Sequence, residues 1–79
     1  MILQDKNTKI RVNPTYMETK NELKGDLIFG FEQIDEVYIN RSIKINLNAI
    51  FYLAKRCKVF IIDEHGYIVG RVKNYGYKR

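Results

Sequence analysis

The sequence predicts a small α+β domain, mainly β: a mixed β-sheet module made of a hairpin plus a β-α-β-β unit, with one short helix. Three observations carry this expectation. Leu47, Ile50, Phe51, Ala54 and Cys57 recur at i, i+3, i+4, i+7 and i+10, the spacing of one helical face. Residues 58–63 follow at once, with Val59 and Ile61 on one side and Phe60 and Ile62 on the other, the pattern of a central strand covered on both faces. Period-two alternation returns at residues 8–13, where Ile10 and Val12 face inward and Lys9 and Arg11 outward, and again at residues 26–31.

Length and composition bound the rest. Seventy-nine residues make one domain, 1–79. A chain of this size removes only about 60% of its unfolded surface from water, so its margin is thin. The single cysteine, Cys57, excludes an internal disulfide and fits a reducing cytoplasm and a packing role. A nucleophilic cysteine wants a basic partner, and the single histidine, His65, falls in a distant turn. The longest strongly apolar run is residues 59–62, so no signal peptide or membrane span is expected, and the localisation that follows is cytoplasmic. Oligomerisation, or attachment to a larger chain, is the expected route to adequate stability. The net charge of +5 hides an asymmetry. Residues 1–36 carry five Lys/Arg against seven Asp/Glu, and residues 37–79 carry nine against two, a basic half that attracts polyanions.

The elements follow in order. Residues 1–4 and 8–13 read as an N-terminal hairpin turned at residues 5–7, ended by Pro14, which cannot donate to a ladder. Residues 15–26 show no sustained period and read as a surface connection with room for a short strand around Tyr16. The core β-α-β-β unit spans 27–72. It opens on a strand with Leu27, Phe29 and Phe31 on one side, where Gly30 marks either a close backbone approach or a bulge. Residues 34–39 form the next strand and residues 43–45 a very short extended step. Asn46 caps the helix at its start, and Lys55, Arg56 and Lys58 complement the dipole at its end. The helix supplies the crossover that parallel strands need. Residues 63–66 make a tight turn with Gly66 at the positive-φ position, and residues 67–72 return antiparallel. The basic tail, 73–79, has lost its apolar period. On this reading Phe51 is the centre of the core, and Phe51→Ala is expected to cost roughly 3–5 kcal/mol.

Few residues offer chemistry. Asp63, Glu64 and His65 suggest a metal site, but sequence neighbours diverge, and a hairpin turn ending in glycine accounts for all three. Asp35 and Glu36 alternate along a strand and cannot act as a paired acid and base. Gly66 and Gly70 flank a strand, the wrong context for a phosphate cradle. The tail has two readings. Arg71, Lys73, Lys78 and Arg79 interleave with Tyr75 and Tyr77, giving phosphate contacts plus stacking rings, and a solvated terminus explains them equally. Lys55, Arg56 and Lys58 cap the helix first and are candidates for nucleic-acid contact second.

Phe31-Glu-Gln-Ile-Asp-Glu-Val-Tyr-Ile39, Ile43-Lys-Ile-Asn46, Ala49-Ile-Phe-Tyr-Leu-Ala54 and Val59-Phe-Ile-Ile-Asp-Glu-His-Gly66, with Gly70 after them, resemble the N-terminal domain of one family. That family is the CRISPR-associated spacer-acquisition integrase, and the match covers about residues 27–72. Residues 1–26 depart from the family's more compact opening. The resemblance implies a small β module with one helix, homodimerisation through the β-domains, protospacer DNA laid across the dimer, and a small ferredoxin-like partner protein. It also implies that a divalent metal, Mg or Mn, and its Glu, His and Asp ligands belong to a helical domain that nothing in this sequence matches. No cofactor and no catalytic or metal residue is therefore expected here, and the chain reads as a truncated form, a split gene product or a degenerate copy.

The expected function is a non-catalytic dimerisation and DNA-scaffolding domain acting in spacer acquisition, with the family's endonuclease activity uncertain for this chain. Leu27, Phe29, Phe31 and Tyr38 are the expected dimer surface, since one helix covers only one face of a sheet. Lys55, Arg56, Lys58, Arg71, Lys73, Tyr75, Tyr77, Lys78 and Arg79 are the expected DNA contacts. The rival reading is a free-standing nucleic-acid-binding module using the basic tail; a metal-dependent nuclease is disfavoured because no carboxylates converge.

Overall fold

A computed structural model describes residues 1–73. Among them the chain forms β1 (Ile2–Leu3), β2 (Lys9–Val12), β3 (Tyr16–Asn21), β4 (Gly25–Gly30), a 3-10 turn (Phe31–Gln33), β5 (Glu36–Asn40), α1 (Leu47–Arg56), β6 (Lys58–Ile62) and β7 (Ile68–Val72). The fold is α+β and mainly β, as the patterning predicts. The strands make two sheets, one ordered β1-β5-β6-β7 and the other β2-β3-β4.

The first sheet contains the expected β-α-β-β unit. β5 and β6 pair in parallel, from Glu36 opposite Lys58 to Asn40 opposite Ile62, and α1 is the crossover between them. β7 returns antiparallel to β6, with a register shift at Ile61/Ile62. The turn between them is the expected one, with Gly66 at φ 89° and its N–H donating to the Asp63 carbonyl at 3.0 Å. Asn46 caps α1 by accepting from the Asn48 N–H at 2.8 Å, and Lys55 and Arg56 occupy the last turn.

The N-terminal third differs from the expectation in pairing. β1 and β2 do not form a hairpin. β1 adds to the first sheet, parallel to β5, with the Tyr38 N–H donating to the Met1 carbonyl at 2.9 Å. β2 pairs antiparallel with β3 in the other sheet. The turn at residues 5–8 sends the chain from one sheet into the other. Asp5 accepts from the Asn7 N–H through its carboxylate and from the Thr8 N–H through its carbonyl.

Residues 15–26, read as a connection, contain a six-residue strand at the centre of the second sheet. Its inward side chains are Met17, Thr19 and Asn21, all buried. The period of two is present, but two of its three inward residues are polar, and a hydrophobic pattern passes over them. Gly30 marks neither a bulge nor a close backbone approach: β3 and β4 stay in register from Tyr16–Gly30 to Asn21–Gly25, and an added Cβ would meet only the Glu32 side chain. Residues 43–45 are not a strand. Ile43 is buried and closes a turn onto the Asn40 carbonyl.

One core lies between the sheets. Met17 from β3, Phe31 and Ile34 from the following turn, Val37 and Ile39 from β5, Ile43, Leu53 from α1 and Val59 from β6 form a single buried cluster. The helix face is rotated from the expected one. Leu47 is 65% exposed and Phe51 50% exposed, whereas Leu53 is fully buried with Ile50, Ala54 and Cys57 packed beside it. Two apolar stripes overlap on this helix. The second sheet decides between them, because α1 packs against β2 as well as β6 and β7.

The core residue of the helix is therefore Leu53, not Phe51. Leu53→Ala is expected to cost about 2–5 kcal/mol, enough to unfold most of a domain this small, while Phe51→Ala should cost clearly less because half of its ring stays in water. Urea denaturation of the two variants beside the parent checks the order. A larger loss at Phe51 would restore the sequence-based face.

Candidate nucleic-acid interface

Alternation along the strands of the first sheet divides its residues between two faces. Leu3, Val37, Ile39, Val59, Ile61 and Val72 point into the core, where α1 and the second sheet cover them. The intervening residues point the other way. Ile2 is opposite Tyr38, Tyr38 opposite Phe60, and Phe60 opposite Arg71, so one continuous row crosses all four strands. A shorter row pairs Glu36 with Lys58, and another pairs Asn40 with Ile62. On this face Ile2, Lys58 and Arg71 are exposed, and Tyr38 and Phe60 are partly exposed.

The row is organised by its rings. Tyr38 and Phe60 stack with centroids 5.0 Å apart and planes 15° from parallel. The Arg71 guanidinium lies 5.3 Å from the Phe60 centroid. The Tyr38 hydroxyl donates to Glu36 Oε1 at 2.8 Å, which raises the Tyr38 pKa, with burial adding to the effect. The far end of the face is closed: Asn40 and Ile62 are buried, and the Asn40 side chain donates to Gln4 and accepts from the Ser42 N–H.

The expected DNA contacts fall into two groups. Lys58 and Arg71 stand on the uncovered face. Lys55 and Arg56 stand at the exposed end of α1, and the Arg56 guanidinium lies 5.2 Å from the Phe31 ring on the core side. Lys73 is exposed beyond β7. Tyr75, Tyr77, Lys78 and Arg79 lie outside the described residues. Phe60, whose ring joins Tyr38 to Arg71, was not among the sequence candidates. Its alternation in residues 58–63 placed it on the second face of the central strand, and that face is the signal that could have found it.

The four residues expected as one dimer surface do not share one. Phe31 is buried in the core, Phe29 packs against that core, and Leu27 lies on the same side of β4, 52% exposed. Tyr38 points from the opposite face of β5. The apolar side chains most exposed in this region are instead Leu23, at 91%, and Ile28, at 64%, at the β3–β4 turn and on the edge strand β4.

Asp63, Glu64 and His65 are occupied as a turn. The Asp63 carboxylate accepts from the His65 and Tyr67 N–H groups, both at 2.9 Å, and Glu64 pairs bidentately with Arg41 at 2.9 and 3.1 Å. Among the described residues no three His, Cys, Asp or Glu side chains converge on a point. The donor set does not fit a divalent metal, and no chemical step passes through one. Burial pushes the Cys57 thiol up, away from a reactive thiolate. A recess beside the first turn carries Asp5, Lys9, Lys20 and Asp26, charges of both signs with no common direction. No described helix is long and apolar enough to cross a membrane.

Two aspartates make the turns pH-dependent. Asp63 is held below the usual carboxylate value of 3.8, chiefly by the Tyr67 N–H, and Asp5 likewise by the Asn7 N–H and the Asn21 amide. A depressed carboxylate stabilises the fold above its unfolded value and loses that contribution as pH falls through the folded one. Stability is therefore expected to be flat above about pH 5 and to decline below the unperturbed aspartate value of 3.8. Thermal melts at stepped pH check this, with Asp63→Ala giving a shallower decline.

No family model and no curated protein matches the sequence. Solved structures do match the fold. A partial Cas6-RT-Cas1–Cas2 complex aligns with a TM-score of 0.75 and 21% identity, over 95% of this chain and 23% of that one. A Cas1 protein from Thermotoga maritima aligns at 0.70 and 16%, over 87% and 23%. A casposase bound to integration product aligns at 0.65 and 20%, over 96% and 25%. The chain spans about a quarter of each of these proteins, and its fold is that of a Cas1 N-terminal-like domain.

Proposed function

We propose that this chain is a Cas1-like adaptation domain, a non-catalytic module that pairs with a second copy and helps to hold DNA during spacer acquisition. The fold likeness carries the reading: the three structures described above are Cas1-containing or casposase proteins, and one of them is bound to an integration product. Cas2 stands beside Cas1 in another, which supports a small ferredoxin-like partner protein for this chain as well. The positive charge of residues 37–79 supports DNA, through Lys55, Arg56, Lys58, Arg71 and Lys73 among the described residues and Tyr75, Tyr77, Lys78 and Arg79 beyond them. The cytoplasm is the compartment this role requires. Any divalent metal chemistry belongs to residues outside this fold.

Pairing has a physical motive. β4 is an edge strand with unpaired backbone groups, and Leu27 and Ile28 are both more than half exposed on it. Two copies joined along this edge satisfy the backbone and cover both side chains, a two-fold arrangement in which each surface meets itself. The contact is apolar and survives salt, whereas phosphate contacts release counterions and do not.

The experiment is light scattering across a dilution series, joined to duplex binding at two salt concentrations. A dimer at high micromolar concentration, returned to monomer by Ile28→Lys, is expected. Weak duplex binding without sequence preference, abolished by moderate salt, is expected with it, and no cleavage with magnesium or manganese. A stable monomer with no affinity for duplex DNA would remove the reading.

A further inference from the structure

We propose that the uncovered face of the four-stranded sheet is a base-stacking platform for single-stranded DNA, centred on Tyr38 and Phe60. This extends the scaffolding reading to a second site with a different chemistry: the helix-end cations meet phosphates, and the sheet face meets unpaired bases.

Four observations carry the proposal. The two rings stand side by side on β5 and β6, the two interior strands, in the same cross-strand row. Neither ring belongs to the core cluster, and each is partly exposed. Aromatic side chains in such positions pack poorly against water and well against a base, whatever its identity, because every base has a π-face. Cations flank Phe60, Lys58 two residues before it on the same side of β6 and Arg71 across from it on β7. Arg71 already lies over the Phe60 ring and offers its own plane to a second base. Phosphates on either side of a stacked base then fall near positive charge.

The polar groups on the face offer a ribose no additional contact, so the site does not require a 2′-hydroxyl and accepts a deoxy strand. A ribose-selective site keeps a donor or acceptor free for the 2′-hydroxyl. Here the Tyr38 hydroxyl is committed to Glu36, and the Asn40 side chain to Gln4 and the Ser42 N–H. Glu36 is the carboxylate that alternation puts on this face among the described strands, and Lys58 opposite it together with Arg71 outnumber it, which leaves the face net cationic. A duplex keeps its bases stacked on each other and presents none to the rings, so the platform selects against it.

The test uses the full chain and a fluorescently labelled twelve-nucleotide deoxythymidine strand, followed by anisotropy. A blunt duplex and the matching uridine strand are the comparisons. Phe60→Leu and Tyr38→Leu keep apolar volume on the strand and remove the ring. Each is expected to weaken single-strand binding roughly 5- to 150-fold, while duplex binding stays within about twofold of the parent. Thermal melts show whether the variants fold. Arg71→Gln, on an exposed edge-strand side chain, gives a folded variant in any case and is expected to weaken the single strand more than the duplex. Unchanged single-strand affinity in folded Phe60→Leu and Arg71→Gln variants would overturn the proposal. A strong preference for the uridine strand would overturn its assignment to DNA. A dimer that dissociates on Phe60→Leu would show that a second copy occupies this face instead. A parent chain that is monomeric or does not bind duplex DNA, with single-strand binding intact, counts against the scaffold alone.

Discussion

Leu53 is the side chain on which this small structure depends. It is fully buried where the helix meets the two sheets, in one cluster with Val37, Ile39, Val59 and Met17. A chain of this length has little apolar surface to spare, so it gathers what it has on one side. The helix and the second sheet both cover the same face of the four-stranded sheet. The consequence is asymmetry. One face becomes a closed core, and the other keeps the partly exposed Tyr38 and Phe60 in a row with the exposed Arg71.

Short polar side chains do much of the remaining work of shaping the chain. Asp5, Asn21, Asn40, Asn46 and Asp63 each accept from a backbone N–H two residues on, at 2.7 to 2.9 Å. Asn21 illustrates the economy. Its carbonyl oxygen takes the Leu23 and Lys24 N–H groups to turn β3 into β4, with Gly25 at φ 86° completing the turn. Its amide nitrogen donates to Asp5, tying that hairpin to the crossing between sheets. These residues sit where a strand or helix must stop, and local hydrogen bonds give the backbone groups there a partner without water.

The charge distribution follows from the same layout. Acidic residues are spent largely in turns, on Asp5 and Asp63, and in an exposed pair between Glu64 and Arg41. The cations at the end of α1 and those on the uncovered face are separated by the sheet itself.

The local elements were legible in the sequence, because each depends on neighbours within a few residues. The helix cap at Asn46, the positive-φ glycine at Gly66, the crossover helix before β6 and the antiparallel return of β7 read correctly from spacing and turn chemistry, whereas the parallel partner of β6 is β5 and not the short step at residues 43–45. β3 was hidden because Thr19 and Asn21, polar residues, occupy two of its inward positions. The partners of β1 and β2 were decided only in three dimensions, since alternation states which face is buried and not which strand lies alongside. The helix face was decided there too: Leu47, Phe51 and Leu53 are equally apolar as letters, and only the position of the second sheet buries Leu53 and leaves Phe51 half in water. The ring pair belongs to the same class. Tyr38 and Phe60 are twenty-two positions apart in sequence, and the register between two parallel strands makes them neighbours.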